Sequence, residues 1–143
     1  MWIPTEKAIV SGWGHIDAFK TPATKLMAAE ILIRKHADCK RRFGKLNLVV
    51  ASNTICAGGE RDACKGDSGG PLTCSMDLTN GRKRSYLGGI VSWGVWCDDA
   101  ENKKFPGVYT DVAKYKDWIE RSLCKINHYV LNGNTIMKFD GKC

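Results

Sequence analysis

Seven cysteines, at positions 39, 56, 64, 74, 97, 124 and 143, constrain this 143-residue chain more than any other feature. They are spread out: there is no CxxC, and the closest pairs, Cys56/Cys64 and Cys64/Cys74, have no histidine in a ligand-like register beside them. Structural zinc sites use tightly spaced thiolate and imidazole pairs. The pattern therefore predicts a disulfide framework, no metal, and an oxidising compartment. The odd number leaves at least one thiol free or paired outside this chain. The amino end, MWIPTEKAIV, lacks the basic n-region, apolar h-region and small-residue cleavage site of a secretory signal. A disulfide-built chain without an export signal is a contradiction to resolve.

The rest of the composition is that of one ordinary globular domain with a core. No apolar run approaches the roughly 20 residues that a membrane helix needs, so no membrane association is expected. The net charge of +7 comes from short groups, CKRRFGK at 39–45, GRKRS at 81–85 and NKK at 102–104. With few aromatics interleaved, these read as solvated loops rather than a nucleic-acid surface.

Short apolar runs broken by glycine and turn residues predict an all-β, antiparallel fold. Strands are expected over 7–14, 25–33, 46–58 and 106–112, and a hairpin over 71–94 turning at Asn80-Gly81 with positive φ angles. A short polar helix over 34–43 would hold Cys39. In DVAKYKDWIERSLC the period changes: Val112, Tyr115, Trp118, Ile119 and Leu123 fall near helical spacing, predicting an amphipathic helix packed on the sheet. The segment YVLNGNTIM in the tail has the pattern of a small hairpin about Asn132-Gly133.

ACKGDSGGPLTC, residues 63–74, carries the chemistry. Glycines on both sides of Ser68 permit a tight turn with the hydroxyl exposed. They also let the N–H groups of Gly66 and Ser68 point at one small volume where an oxyanion can develop. Losing one such donor typically costs about 3–4 kcal/mol of barrier. By itself the motif reads equally well as a Gly-rich structural turn.

GWG at 12–14, CAGG at 56–59, DACKGDSGGPL at 62–72, IVSWG at 90–94 and PGVYT at 106–110 occur in that order. Together with the terminal helix, they resemble the C-terminal half of chymotrypsin-like (trypsin-like) serine proteases, over residues 7 to about 123. The resemblance implies the C-terminal antiparallel β-barrel of that two-barrel fold, with a short intermediate helix and a C-terminal amphipathic helix. It would place 1–124 in the protease domain and leave 125–143 as an extension. It implies that Ser68 is the nucleophile and that the Gly66 and Ser68 amides form the oxyanion hole. Asp67 would pair with the α-amino group released by zymogen cleavage. Asp62 would stand at the base of the primary pocket and favour Arg or Lys substrates. Ser92, Trp93 and Gly94 would bind substrate backbone, with Gly94 and Gly107 keeping the pocket walls open. Family pairing would join Cys39 to Cys56 and Cys64 to Cys97. Cys74 matches a cysteine whose usual partner stands where this chain has Ala8. Cys124 and Cys143 fall outside the family pattern and would be free to pair with each other, leaving Cys74 as the odd thiol. Trp96 stands at the pocket mouth where glycine is usual, and Pro106 matches members that bind no sodium. No cofactor is implied.

A serine hydroxyl is a weak nucleophile without a base in hydrogen-bond reach and a group to orient that base. In the family both come from the N-terminal barrel, and no stretch of this sequence matches it. His15, His36 and His128 each read as surface histidines. The resemblance thus implies a serine endopeptidase, cleaving after Arg or Lys, represented by a chain that lacks the His and Asp of the triad and is inactive alone. Its partners would be protein substrates and the missing barrel. It would be secreted, with the export signal upstream. The alternative is a non-catalytic homologue acting as a binding or regulatory protein.

Overall fold

The computed structural model describes residues 7–17, 19–58, 61–95 and 105–126, the last three of these without their side chains. The chain divides into two compact units, Met1–Asp111 and Val112–Cys143. In the first, six antiparallel strands close into a barrel: β1 (Lys7–Gly12), β2 (Met27–Arg34), β3 (Thr54–Gly58), β4 (Pro71–Asp77), β5 (Lys83–Trp93) and β6 (Gly107–Asp111). Their order around the barrel is β1-β2-β3-β6-β5-β4. The expected all-β, antiparallel barrel is the fold observed.

Alternation builds the interior. In β1, Ala8 and Val10 point inward between exposed Lys7 and Ile9, as a strand with one buried face requires. They meet Ile31, Ala57, Leu72, Cys74, Val91 and Tyr109 in one cluster. Ala8 lies directly across the β1–β4 ladder from Cys74, whose thiol is buried and free. Burial pushes the pKa of that thiol up; the Tyr86 hydroxyl beside it is pushed up to about 12, by burial first and then by the thiol.

Helix α1 (His36–Gly44) lies outside the barrel on a second cluster of Cys39, Phe43, Val50, Cys56 and Val108. The predicted Cys39–Cys56 disulfide ties it to β3, closing a loop worth about 3 kcal/mol in the chain-entropy account. The Phe43 ring stands edge-on to Trp93, 5.0 Å between centroids, and tilts against Phe105 at 5.5 Å.

Three expectations change. The strand expected over 46–58 is a strand only from Thr54. Before it, the N–H groups of Leu46 and Leu48 both donate to Phe43 O, wrapping the chain under the end of α1. The bend at 78–82 has positive φ only at Gly81, not at Asn80. Asn80 instead accepts the Arg82 N–H through Oδ1 at 3.1 Å, while Gly81 N–H donates to Leu78 O. This makes a longer turn than the two-residue form, and the side-chain bond stabilises it locally. In the second unit, a 3₁₀ turn (Val112–Tyr115) leads into α2 (Lys116–Ile126). There Trp118 is 62% exposed, not sequestered on an apolar face. The tail hairpin about Asn132-Gly133 lies outside the described residues.

Candidate active site

The loop from Asp62 to Gly70 carries the site. It is fastened to the barrel by backbone bonds: Gly69 N–H to Val91 O and Val91 N–H to Gly70 O, both at 2.9 Å. These put Ser68 beside the end of β5. There the β5–β6 register slips between Val91 and Trp93, so Ser92 is the extra residue of a bulge, a device that re-aims side chains at strand ends. Ser92 and Gly94 are exposed and Trp93 is half-buried.

Gly66 and Gly69 take φ of 98° and 83°, the left-handed conformation that favours glycine. The turn this creates divides its amides into two groups. Asp67 N–H bonds Cys64 O, Gly69 N–H bonds Val91 O, and Gly70 N–H bonds Asp67 O. The N–H groups of Lys65, Gly66 and Ser68 have no acceptor among the described residues, and all three residues are exposed. Two idle donors flanking an exposed hydroxyl can receive an anionic oxygen from a group attacked by Ser68.

Two carboxylates flank this turn. Asp67 accepts the Gly14 N–H on Oδ1 at 2.7 Å and the Cys64 N–H on Oδ2 at 2.9 Å. Space for it comes from the GWG turn: a Cβ on Gly14 would stand 2.5 Å from its Oδ2, and one on Gly12 would overlap its Oδ1. Asp62 is more deeply held. Its Oδ1 accepts Ala63 N–H and Tyr109 O–H, both at 2.7 Å, and its Oδ2 accepts Gly107 N–H at 2.6 Å. Gly58 and Gly107 leave room for it, a Cβ on Gly107 falling 2.7 Å from Oδ1. Burial raises the Asp62 pKa, against the pull of Tyr109, Ala63 and Gly107, which favour the ionised form. Burial also raises the Tyr109 hydroxyl strongly, aided by the charge of Asp62. Among the described residues no cation pairs with either carboxylate. Both line an open cleft of about 580 Å³.

Of the residues singled out from sequence, the fold brings Ser68, Gly66, Asp67 and Asp62 onto one loop, with Ser92, Trp93 and Gly94 on the strand end to which that loop is bonded. Gly94 and Gly107 face each other, a Cβ on Gly94 lying 3.9 Å from Gly107 Cα. His15 lines the cleft, and His36 Nε2 is 2.9 Å from Ala51 O. No histidine among the described residues hydrogen-bonds Ser68. Cys64 is disulfide-bonded; Cys97, its expected partner, lies outside the described residues, as do Trp96, His128 and Cys143, and the Cys124 side chain is not described. Pro106 is buried ahead of β6. Two features were missed in the sequence: Tyr109 as a donor to Asp62, and the Gly12/Gly14 cradle around Asp67. Tyr109 stands in PGVYT on an inward-facing strand position, which is the signal that was available. The cradle leaves no signal beyond GWG itself.

The Trypsin family model matches residues 3–119, so the chain belongs to the trypsin family. Its curated relatives include transmembrane protease serine 11G of Mus musculus, 42% identical over 82% of this chain and 27% of that protein. Mannan-binding lectin serine protease 1 of Homo sapiens is 44% identical over 79% of this chain and 16% of that protein. Among solved structures, neuropsin, a serine protease expressed in the limbic system of mouse brain, superposes with a TM-score of 0.69. It is 32% identical, and the match covers 85% of this chain and 51% of neuropsin. The chain therefore spans about half of neuropsin and less than a third of these two curated relatives.

Proposed function

We propose that this chain is the serine-bearing part of a secreted trypsin-like endopeptidase that cleaves protein substrates after Arg or Lys. Ser68 is its nucleophile, and the Gly66 and Ser68 amides hold the oxyanion. The base and its orienting acid come from polypeptide outside these 143 residues. The observation that carries this reading is the exposed Ser68 in a glycine turn where its own N–H and that of Gly66 find no acceptor among the described residues.

Specificity for Arg or Lys follows from Asp62. It is a part-buried carboxylate with three donors and no cation among the described residues, an arrangement that a substrate guanidinium or ammonium would complete. Asp67 offers the corresponding anchor to a free α-amino group, through the cleft that it lines. The requirement for a second barrel is supported by the β1–β2 connection, where Trp13, Ile16, Phe19, Leu26 and Met27 are all exposed. Apolar side chains clustered in that way signal a covering partner. Among the described residues no helix is long and apolar enough to cross a membrane.

The test joins the chain to the coding sequence that precedes it in native transcripts. A fluorophosphonate should label the joined protein at Ser68, and Ser68→Ala should abolish labelling and the cleavage of Arg- and Lys-terminated fluorogenic peptides. The 143-residue chain alone should stay unlabelled. Strong labelling of the chain alone would refute the need for an external base. Transcripts with a complete 5′ end at Met1 would favour the non-catalytic binding protein instead.

A further inference from the structure

The most one-sided charge of the barrel unit lies on α1 and the segment that closes it. Residues 35–49 hold five cations, Lys35, Lys40, Arg41, Arg42 and Lys45, against one carboxylate. That carboxylate, Asp38, is taken by Arg41 at 2.9 Å. Lys35, Lys40 and Lys45 are exposed and pair with no carboxylate among the described residues. Cys39 and Phe43 turn inward, so helical periodicity sets Arg41 and Lys45 opposite them, with Lys40 and Arg42 on the flanks. Basic side chains thus dominate the solvent arc, which they share with Ala37 and Asp38.

Helix stability explains only part of this. Cations in the last turn oppose the helix dipole, which accounts for Arg41 and Arg42. Lys35 stands at the N-cap, where the dipole disfavours a cation, and offers no side-chain cap. Next to the charge are three apolar side chains that the fold leaves out: Leu46, Leu48 and Val49, the last 85% exposed. The bonds from Leu46 and Leu48 to Phe43 O hold them against the end of the helix, and Val50 anchors the segment below.

We propose that this face is a docking surface for an acidic polypeptide segment carrying aliphatic side chains, built from none of the residues of the Asp62–Gly70 loop. Charge complementarity selects an acidic occupant. The adjoining leucines and valine select a peptide over a sulfated polysaccharide, which has no apolar groups to bury. A bilayer fits less well: interfacial helices present an apolar face with aromatics to lipid, and the apolar face of α1 is spent on the barrel. The mount is rigid, since the Cys39–Cys56 bridge and the Phe43 contacts with Trp93 and Phe105 fix the helix. A preorganised surface loses little entropy when it binds. The proposal does not rest on catalysis by Ser68.

The test is fluorescence anisotropy of a fluorescein-labelled ELEDLSEL peptide titrated with the intact 143-residue chain. Saturable binding is expected, weakening as salt rises. Lys40→Glu with Lys45→Glu should weaken it about tenfold, and Leu48→Ser with Val49→Ser about threefold, as exposed contacts of each kind allow. Unchanged far-UV circular dichroism keeps both variants interpretable, because all four side chains are exposed. No saturable binding would overturn the proposal, as would indifference to both pairs of substitutions. So would tighter binding of a heparin octasaccharide, or of phosphatidylserine-containing vesicles, than of the peptide.

Discussion

Asp62 and Asp67 stand five residues apart on one loop, and the fold treats them differently. Each is cradled by two glycines, Gly58 and Gly107 around Asp62, Gly12 and Gly14 around Asp67. Asp62 faces the barrel and takes three donors, two of them from β6. Asp67 takes only two amides, from the GWG turn and from its own loop. The difference teaches that the local motif sets where a carboxylate starts, and the strands it meets set how it is held. A carboxylate held by the barrel core is fixed in place by strands. One held by two turns depends on those turns staying put, as a part that responds to a conformational change would.

Crowding either cradle should give the largest effect. Gly12→Ala and Gly107→Ala each put a methyl where a bonded carboxylate sits, and should each cost about 3 kcal/mol in urea unfolding, at the upper end for overpacking. If Gly12→Ala costs nothing, the loop around Asp67 is looser than its hydrogen bonds imply, and the comparison fails. Tyr109→Phe should come next, about 2 kcal/mol at neutral pH, for a lost hydrogen bond to a buried charge. Its pH dependence has a definite sign. The folded Asp62 carboxyl has a raised pKa, so between the unfolded value and the folded one the native state binds more protons. Its contribution to stability therefore declines as pH rises through that window. Removing the Tyr109 bond pushes the pKa further up. The cost of Tyr109→Phe should therefore shrink as pH falls from neutral through the raised values of the two folded carboxyls, and level off once both are protonated.

Asp67→Asn should cost less, about 1 kcal/mol, because an amide nitrogen then opposes one of two N–H donors at the rim of an open cleft. A cost above that of Tyr109→Phe would reverse the proposed ranking of the two sites. The smallest effect is spectroscopic. The Asp62 carboxyl carbon should titrate by NMR above the ordinary aspartate value of 3.8, and higher still in Tyr109→Phe. Titration at or below that value would mean that its three donors outweigh its burial.

Much of the fold was legible because it is written in local patterns. Ala8 and Val10 alternate with Lys7 and Ile9, and the glycines about Ser68 announce a turn with an exposed hydroxyl. The ordered motifs led to the barrel and to the Cys39–Cys56 bridge. The stretch LNLVV misled because its apolar residues have strand-like composition, whereas the end of α1 captures their backbone through Phe43 O. Asn80-Gly81 misled because a side-chain bond to Arg82 N–H competes with the two-residue turn. Trp118 misled because helical spacing groups it with Ile119 and Leu123, which are half-buried while it stays exposed.

The sequence by itself determined the class of fold, the family and the loop on which Ser68 sits, since these depend on residue types at fixed short spacings. Only the tertiary structure decided that the Gly66 and Ser68 amides find no acceptor among the described residues while that of Asp67 between them is bonded. It alone decided that Tyr109 and Gly107, 45 or more residues away along the chain, complete the setting of Asp62, and that Gly12 and Gly14 vacate the space for Asp67. Hydrogen bonds and van der Waals exclusion act at about 3 Å, and no pattern along a chain records which distant backbone comes that close.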